Sequence, residues 1–468
     1  MAGTAVLRPR GDASLSAARL YFWIALVIVA AVALVNPPFL VADETNHFFR
    51  AVQISHGGFI GVKLPDGWAG GWLPLPVLKL GFAFGAMPFN PASRTSIGAL
   101  AALFHLTWPG SLTKADFANT VIYPPQFYLP GAFALFVARH LHIHLLQSFY
   151  IARLFSGLVC VSASALALRL CAPPARPWLL FCLCLPEVLG LYASLSQDGP
   201  FIACAVLACA LLTRCAGPLA EGSKLTMGLA IALLALFVSA KPPYLPVLFL
   251  PLALVERQYL RVAFIAVLIG LAAVLLWSFL GMHPVMVHAR VGDISPARQT
   301  HNMLTHPGIV PLVIYNTFIG TGLWLAETSI ATVSWVDAGM PHWFYIVVGV
   351  LAALLAGSYA VEFVKPENRR HIWRLLFLLL LIVGAGAGAT LSTYLTWDEV
   401  GRNSAWGVLG RYFTPLLVCL TPGAVFVGQG WSAQHAKPVL VRALLYLFLP
   451  FCGICYLSIL FLRFWWPA

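Results

Sequence analysis

Two adjacent carboxylates, Asp43 and Glu44, stand in the stretch Asn36-Pro37-Pro38-Phe39-Leu40-Val41-Ala42-Asp43-Glu44-Thr45-Asn46-His47-Phe48-Phe49-Arg50, directly after the first long apolar run. On a helix, His47 follows about one turn later and Arg50 about two. Acids are scarce in this chain, 16 Asp plus Glu in 468 residues. A paired acid where a helix leaves an apolar environment is therefore the first place to look for acid–base chemistry. The same residues also fit an ordinary helix start, with Asp43 or Glu44 near the positive helix end. Residue types alone leave both readings open.

Three further positions carry charge at the edge of apolar runs. Asp198 lies in Ser194-Leu195-Ser196-Gln197-Asp198-Gly199-Pro200, a short break between two such runs. A carboxylate at membrane depth is costly and faces protein or a cavity; the alternative is an exposed loop acid. Lys241 precedes Pro242-Pro243 between two short apolar half-runs. It either offers its ammonium to a lipid phosphate or snorkels to the interface. Arg411, in Gly410-Arg411-Tyr412-Phe413, carries a planar fork matched to phosphate oxygens or is a juxtamembrane Arg in an aromatic belt. The loop before it adds Asp398, Glu399 and Arg402. His140, His142 and His144 alternate, a weak metal pattern that a helix would scatter. Cys452-x-x-Cys455 has redox spacing but lies within an apolar helical stretch. Like nearly all of the ten Cys, its members read as packing residues.

The elements that must position these groups are membrane helices. The chain is 60% hydrophobic and 9% charged, against about 25% charge in soluble domains. Many runs approach the ~20 apolar residues that span a bilayer, and no alternating β-barrel pattern appears. The fold class is an all-α polytopic integral membrane protein with about 11 to 13 crossings. The net charge of +12 fits positive-inside loops and contact with anionic lipid. No basic stripe with interleaved aromatics points to nucleic acid. There is no P-loop, no G-x-G-x-x-G after a strand, and no cytosolic domain large enough for a nucleotide sugar. An ATP-driven pump and a nucleotide-sugar enzyme of the soluble-domain kind are disfavoured accordingly.

Residues 1–19, with Arg8, Arg10 and Arg19, read as a cytoplasmic N-terminus before a retained first helix over 20–36. Residues 20–463 form one transmembrane domain, and 464–468 a short tail. Residues 37–122 form a long first extracytoplasmic loop in which amphipathic interfacial helices are expected. Residues 281–342 form a second large extracytoplasmic region, with 309–342 re-entrant or interfacial. Lys365, Arg369, Arg370 and Arg374 mark the clearest cytoplasmic loop. This topology puts Asp43, Asp198, Lys241 and Arg411 on one outer face. It leaves a conflict at 124–139, a run with both ends outside.

Six ordered motifs then point to a family. Pro37-Pro38 through Asp43-Glu44, His47-Phe48, Arg50-Ala51 matches "PP…DE..HF.RA". Tyr123-Pro124-Pro125 matches "YPP", and Ser196-Gln197-Asp198 resembles an "S..D" break. Pro296-Ala297-Arg298-Gln299 with His306-Pro307 matches "P..Q…HP", Ser334-Trp335-Val336-Asp337 resembles "GWLD" with Val333-Ser334 in place of a Gly-rich approach, and Gly410-Arg411-Tyr412-Phe413-Thr414-Pro415 matches "GRYF.P". Over about 36 to 420 the chain resembles a bacterial multi-pass membrane family of unknown function grouped with the GT-C glycosyltransferases.

The resemblance implies a GT-C-like fold in the bacterial cytoplasmic (inner) membrane with its site facing outward. It implies transfer of a sugar from a polyprenyl-phosphate donor to a cell-envelope glycan or lipid acceptor. Asp43 and Glu44 would be catalytic base or metal ligands, with Asp198 as the second-loop acid. The same three acids would hold a divalent cation, Mg or Mn, if one is used; no other cofactor is implied. Substrate-binding residues are expected among His47, Arg50, Tyr123, Lys241, Gln299, Trp335, Asp337, Arg402, Arg411 and Tyr412. Partners are the lipid-linked donor, the acceptor and membrane lipids, with no nucleic acid. Two other functions use the same acids and cations: a transporter or flippase for a lipid-linked saccharide, and a polysaccharide polymerase or ligase with a lipid-diphosphate donor.

Overall fold

The first apolar helix, α1 (Gly11–Val35), stops at Asn36 because Pro37 and Pro38 have no amides with which to continue it. The computed structural model describes residues 11–216, 221–287, 293–363, 371–427 and 438–466. Arg8 and Arg10, and Lys365, Arg369 and Arg370 of the expected cytoplasmic loop, lie outside the described residues.

After α1 the chain turns into α2 (Glu44–Ser55), a short helix buried along most of its length. A small antiparallel sheet follows, ordered β1 (Val62–Lys63), β2 (Ala69–Pro74) and β3 (Leu112–Asp116). This sheet is not expected from the sequence; it stands beside the short helices of the first loop. What allows it is visible at Gly70: a Cβ there would lie 2.1 Å from the Ala115 carbonyl oxygen. The Gly-Gly pair that reads as a strand breaker is what lets β2 approach β3.

The next helix, α3 (Leu129–His140), has 12 residues and is roughly 18 Å long. That is well short of the ~30 Å hydrocarbon core. It packs against α2 and α4 (Leu145–Leu170), and its length favours the reading in which 124–139 does not fully cross. Beyond α4, α5 (Arg176–Cys184) and α6 (Pro186–Tyr192) are bent by 67° relative to each other. Pro186 holds Leu185 in an extended backbone between them.

The remaining long elements are α7 (Asp198–Cys215), α8 (Lys224–Ala240), α9 (Leu260–Trp277), α10 (Ile309–Ile330), α11 (His342–Phe363), α12 (Ile372–Trp397) and α13 (Leu449–Phe464). Among the described residues nine helices are long and apolar enough to cross a membrane, or ten with the bent α5–α6 pair as one span. Lys224–Ala240 and Pro242–Leu254 are shorter apolar segments. The chain is thus an all-α polytopic membrane protein apart from the small sheet.

Contacts at the helix ends sort the molecule into two faces. On one, Arg374 pairs with Glu256 at 2.7 Å and the Tyr359 hydroxyl donates to the Pro174 carbonyl at 2.8 Å. On the other lie Asp43, Asp198, Lys241 and Arg411. α10 passes the length test for a crossing and is tied to the 398–410 loop at two places. Asn316 donates to the Asn403 carbonyl at 3.0 Å, and Ser329 to that of Gly410 at 2.9 Å.

Candidate functional site

Asp43 precedes the first turn of α2 with φ 63°, the left-handed region, which costs a non-glycine residue of order 1–3 kcal/mol. The Asp43 and Glu44 side chains take different partners. The Asp43 carboxylate makes no cap bond to α2. It accepts from the Asn119 amide at 3.0 Å and from the Arg411 guanidinium at 2.5 Å. Asn119 is itself held by Asn46 at 2.8 Å.

Glu44 points into the protein and is fully buried. Its oxygens accept from Arg153 Nε at 2.8 Å and Nη2 at 2.5 Å. They also accept from the amides of Leu195 at 2.8 Å and Phe39 at 3.0 Å. Arg153, equally buried, donates further to the carbonyls of Ala33, Asn36 and Pro37 and lies 4.6 Å over the Phe149 ring. Every polar atom of this pair is engaged. The expectation that Glu44 shares catalysis or metal binding with Asp43 is corrected: it fastens the end of α1 to α4 and to the Leu195 turn.

Arg411 projects from a single 3-10 turn, Gly410–Tyr412. A Cβ on Gly410 would meet the Thr328 hydroxyl at 2.3 Å and the Ser329 amide at 2.4 Å. Only glycine lets this turn press against α10. Arg411 donates to the Ala42 carbonyl at 3.1 Å, and its Nε stands 3.9 Å from Asp198 Oδ2. Asp198, in the first turn of α7, pairs through Oδ1 with Lys241 at 2.7 Å. Lys241 occupies the break after α8, its ammonium 5.0 Å from the Phe201 ring, 5.3 Å from Tyr412 and 5.9 Å from Tyr123.

The result is a chain of alternating charge, Asp43–Arg411–Asp198–Lys241, assembled from four separate segments and formally neutral. Its two ends differ in access. The Asp43 side chain is 28% exposed and that of Asp198 5%, so Asp43 is the open acid and Asp198 the enclosed one. His47 borders the cluster, its Nδ1 2.7 Å from the Tyr128 hydroxyl and its ring parallel to Tyr123. Burial pushes its imidazole down to about 4, overriding the opposite pull of Asp198 and Asp43. It is neutral at pH 7.

The other sequence-predicted residues lie elsewhere. Arg50 is buried and donates to Gln53 and to the carbonyls of Gly58, Phe59 and Tyr123; it closes the first loop. Gln299 bonds the Gly401 amide at 2.8 Å and the Glu399 carbonyl at 3.4 Å. Arg402 stacks 4.2 Å over Trp406. Both order the 398–410 loop. Trp335 donates to the Phe39 carbonyl at 3.2 Å, and Asp337 pairs with Arg463 at 3.0 Å. In this structure these four and Arg50 support the loops around the cluster. Tyr123, Lys241, Arg411, Tyr412 and His47 do converge on it.

The acids do not form a metal set. Glu44 is committed to Arg153, and Arg411 stands between Asp43 and Asp198. Among the described residues no group of three or more His, Cys, Asp or Glu side chains could hold a metal ion. His140 and His144 bond the carbonyls of Phe136 and Phe104 instead.

Sequence reasoning missed Arg153, Asn119 and Glu187. Arg153 and Glu187 carried a usable signal, a charge inside an apolar run. Asn119 carried none, because only the fold of the first loop brings it to Asp43. A family model described as "Predicted membrane protein (DUF2142)" matches residues 26–420. No curated protein and no solved structure matches the chain.

Proposed function

The chain belongs to the DUF2142 family of predicted membrane proteins, and we propose that it is a glycosyltransferase using a polyprenyl-phosphate sugar donor at the membrane surface. The observation that carries this reading is the convergence of one accessible carboxylate, Asp43, with two cations, Arg411 and Lys241, at the ends of apolar helices. A lipid-linked phosphate reaches such a place from within the bilayer, and its acceptor from the aqueous side. The resemblance of the six motifs to a family grouped with GT-C enzymes points the same way.

In this reading the donor phosphate takes the place of Asp43 on Arg411 and adds to Asp198 as a partner of Lys241. Charge-assisted N–H···O bonds to phosphate oxygens position it, and the same cations stabilise the charge it gains on leaving. The release of Arg411 from Asp43 leaves that carboxylate free to act as general base. An acceptor hydroxyl attacks the anomeric carbon. The C1–O bond to phosphate breaks with its electron pair going to the phosphate oxygen, and the hydroxyl proton passes to Asp43. The attack comes from the face opposite the phosphate, so configuration inverts. Asp198 holds Lys241 and Arg411 in register, and neutral His47 keeps a further positive charge away from the base.

The test is Asp43→Asn in the full-length protein, reconstituted in membranes and supplied with a panel of polyprenyl-phosphate hexoses. Loss of a general base lowers the transfer rate by about 10²–10⁴-fold, with folding retained. Transfer at the wild-type rate removes Asp43 as the base. Movement of the lipid across the bilayer without any glycosidic product replaces the enzyme reading by a flippase.

A further inference from the structure

Beside Arg411 lies a narrow pocket lined by Val41 and Ala42, which lead into Asp43, with polar walls made by Glu187, Thr328, Thr332, Ser334 and the Gly410–Arg411 turn. Several independent features mark it. Glu187 is a carboxylate in the interior, 3% exposed. The bend before Pro186 places it in the first turn of α6, with Thr332 as its hydrogen-bonding neighbour. The Ser334 hydroxyl and the Arg411 Nε are both buried and have no hydrogen-bond partner. Buried polar atoms are normally satisfied, so the Ser334 hydroxyl is a hydrogen-bonding group still free to take a partner at this pocket.

The backbone around the pocket is strained as well. Ser334 and Val336 have φ of 61° and 67°, a region in which a β-branched residue such as Val336 is a genuine outlier. Strain of this kind collects at binding and catalytic sites. The Trp335 and Asp337 side chains that alternate with these residues are tied down by Phe39 and Arg463, which keeps Ser334 and Val336 on the pocket wall. The opposite wall is held close by Gly190, where a Cβ would meet the Tyr456 hydroxyl at 2.5 Å.

We propose that this pocket recognises the hydroxyl edge of the donor's sugar ring, with Glu187 and Ser334 as the residues that read it. The proposal rests on the glycosyltransferase reading and names its sugar subsite. The sugar is bonded directly to the phosphate, so the group that follows the phosphate past Arg411 is the donor ring and not the acceptor. A carboxylate flanked by hydroxyls and a guanidinium is a natural partner for vicinal sugar hydroxyls, which both donate and accept. Arg411 borders both the charge cluster and the pocket.

The experiment measures equilibrium binding to the purified full-length protein in nanodiscs. The probes are undecaprenyl phosphate and its glucose, mannose and galactose derivatives. The wild type binds at least one sugar-bearing lipid more tightly than the bare phosphate. Glu187→Gln lowers affinity for that lipid about 10-fold, the scale of a hydrogen bond to a charged group, and leaves the bare phosphate unchanged. Ser334→Ala, which removes an unpartnered hydroxyl and so spares the fold, shifts the preference the same way by less.

Undiminished preference in a folded Glu187→Gln protein overturns the proposal. So does an equal loss for both lipids, which would make Glu187 a support for Arg411. A wild type that binds all four lipids alike rejects the sugar subsite while the phosphate site stands. A wild type that binds none rejects the glycosyltransferase reading itself.

Discussion

Asp43 and Glu44 are neighbours in the chain and opposites in the fold. Each pairs with an arginine through a contact of 2.5 Å. Glu44 and Arg153 have no exposed side-chain surface, and every polar atom of both is bonded within the protein. Asp43 keeps 28% of its side chain exposed, and its partner Arg411 retains an unpartnered Nε. The difference separates a joint from a site. A saturated buried pair has nothing left to offer a ligand, and removing one half strands a charge in the interior. An unsaturated pair at an opening can exchange one partner for a substrate group.

The largest expected effect breaks the joint. Glu44→Gln leaves Arg153 buried without its counter-charge, a loss of about 3–5 kcal/mol in comparable pairs. Thermal unfolding in detergent should show a strongly lowered midpoint, or no folded protein. The double variant Glu44→Gln with Arg153→Met should recover part of that loss. If Glu44→Gln unfolds at the wild-type temperature, the contrast drawn here is wrong.

Asp43→Asn comes next: its unfolding midpoint should fall less than that of Glu44→Gln, because Asp43 is partly solvated and Arg411 keeps the Ala42 carbonyl and Asp198. Activity, by contrast, should fall by about 10²–10⁴-fold. A stability loss equal to that of Glu44→Gln would make Asp43 a second joint.

Arg411→Lys sharpens the comparison further. The charge stays but the planar fork is lost, so the variant cannot reach the Ala42 carbonyl, Asp43 and Asp198 together. Donor binding should weaken about 10-fold or more while acceptor KM stays unchanged. An unaltered donor affinity would show that the fork is not used.

The smallest effect concerns pH. His47 titrates near 4 in the folded protein because burial disfavours its charged form, whereas an unfolded His titrates near ~6.5. The unfolded chain therefore binds the extra proton first as pH falls. The contribution of His47 is complete above about pH 6.5 and is lost progressively toward pH 4. The unfolding midpoint of wild type should fall across that window more steeply than that of His47→Gln. Parallel curves would show that His47 is not held neutral by its surroundings.

Much of the scaffold was legible in the sequence, because the bilayer constrains composition and helix length so strongly. The long apolar runs, the break at Asp198, the Pro-marked break at Lys241 and the Gly-Arg-Tyr turn at 410–412 all stand where their local chemistry placed them. The small sheet was not legible. Its strands have two, six and five residues, and its key residue, Gly70, reads locally as a breaker.

The membrane class, the order of the helices and the short list of charged residues worth attention were determined by the sequence alone, since each follows from composition and from period along the chain. Only the tertiary structure decided which of those charges meet. The two adjacent acids, Asp43 and Glu44, take different partners, and no spacing rule anticipates that. Arg153 closes one acid from 109 residues away, while Arg411 reaches the other across 368 residues. Pairings at such separations are set by how the helices pack, and that packing is a property of the whole fold.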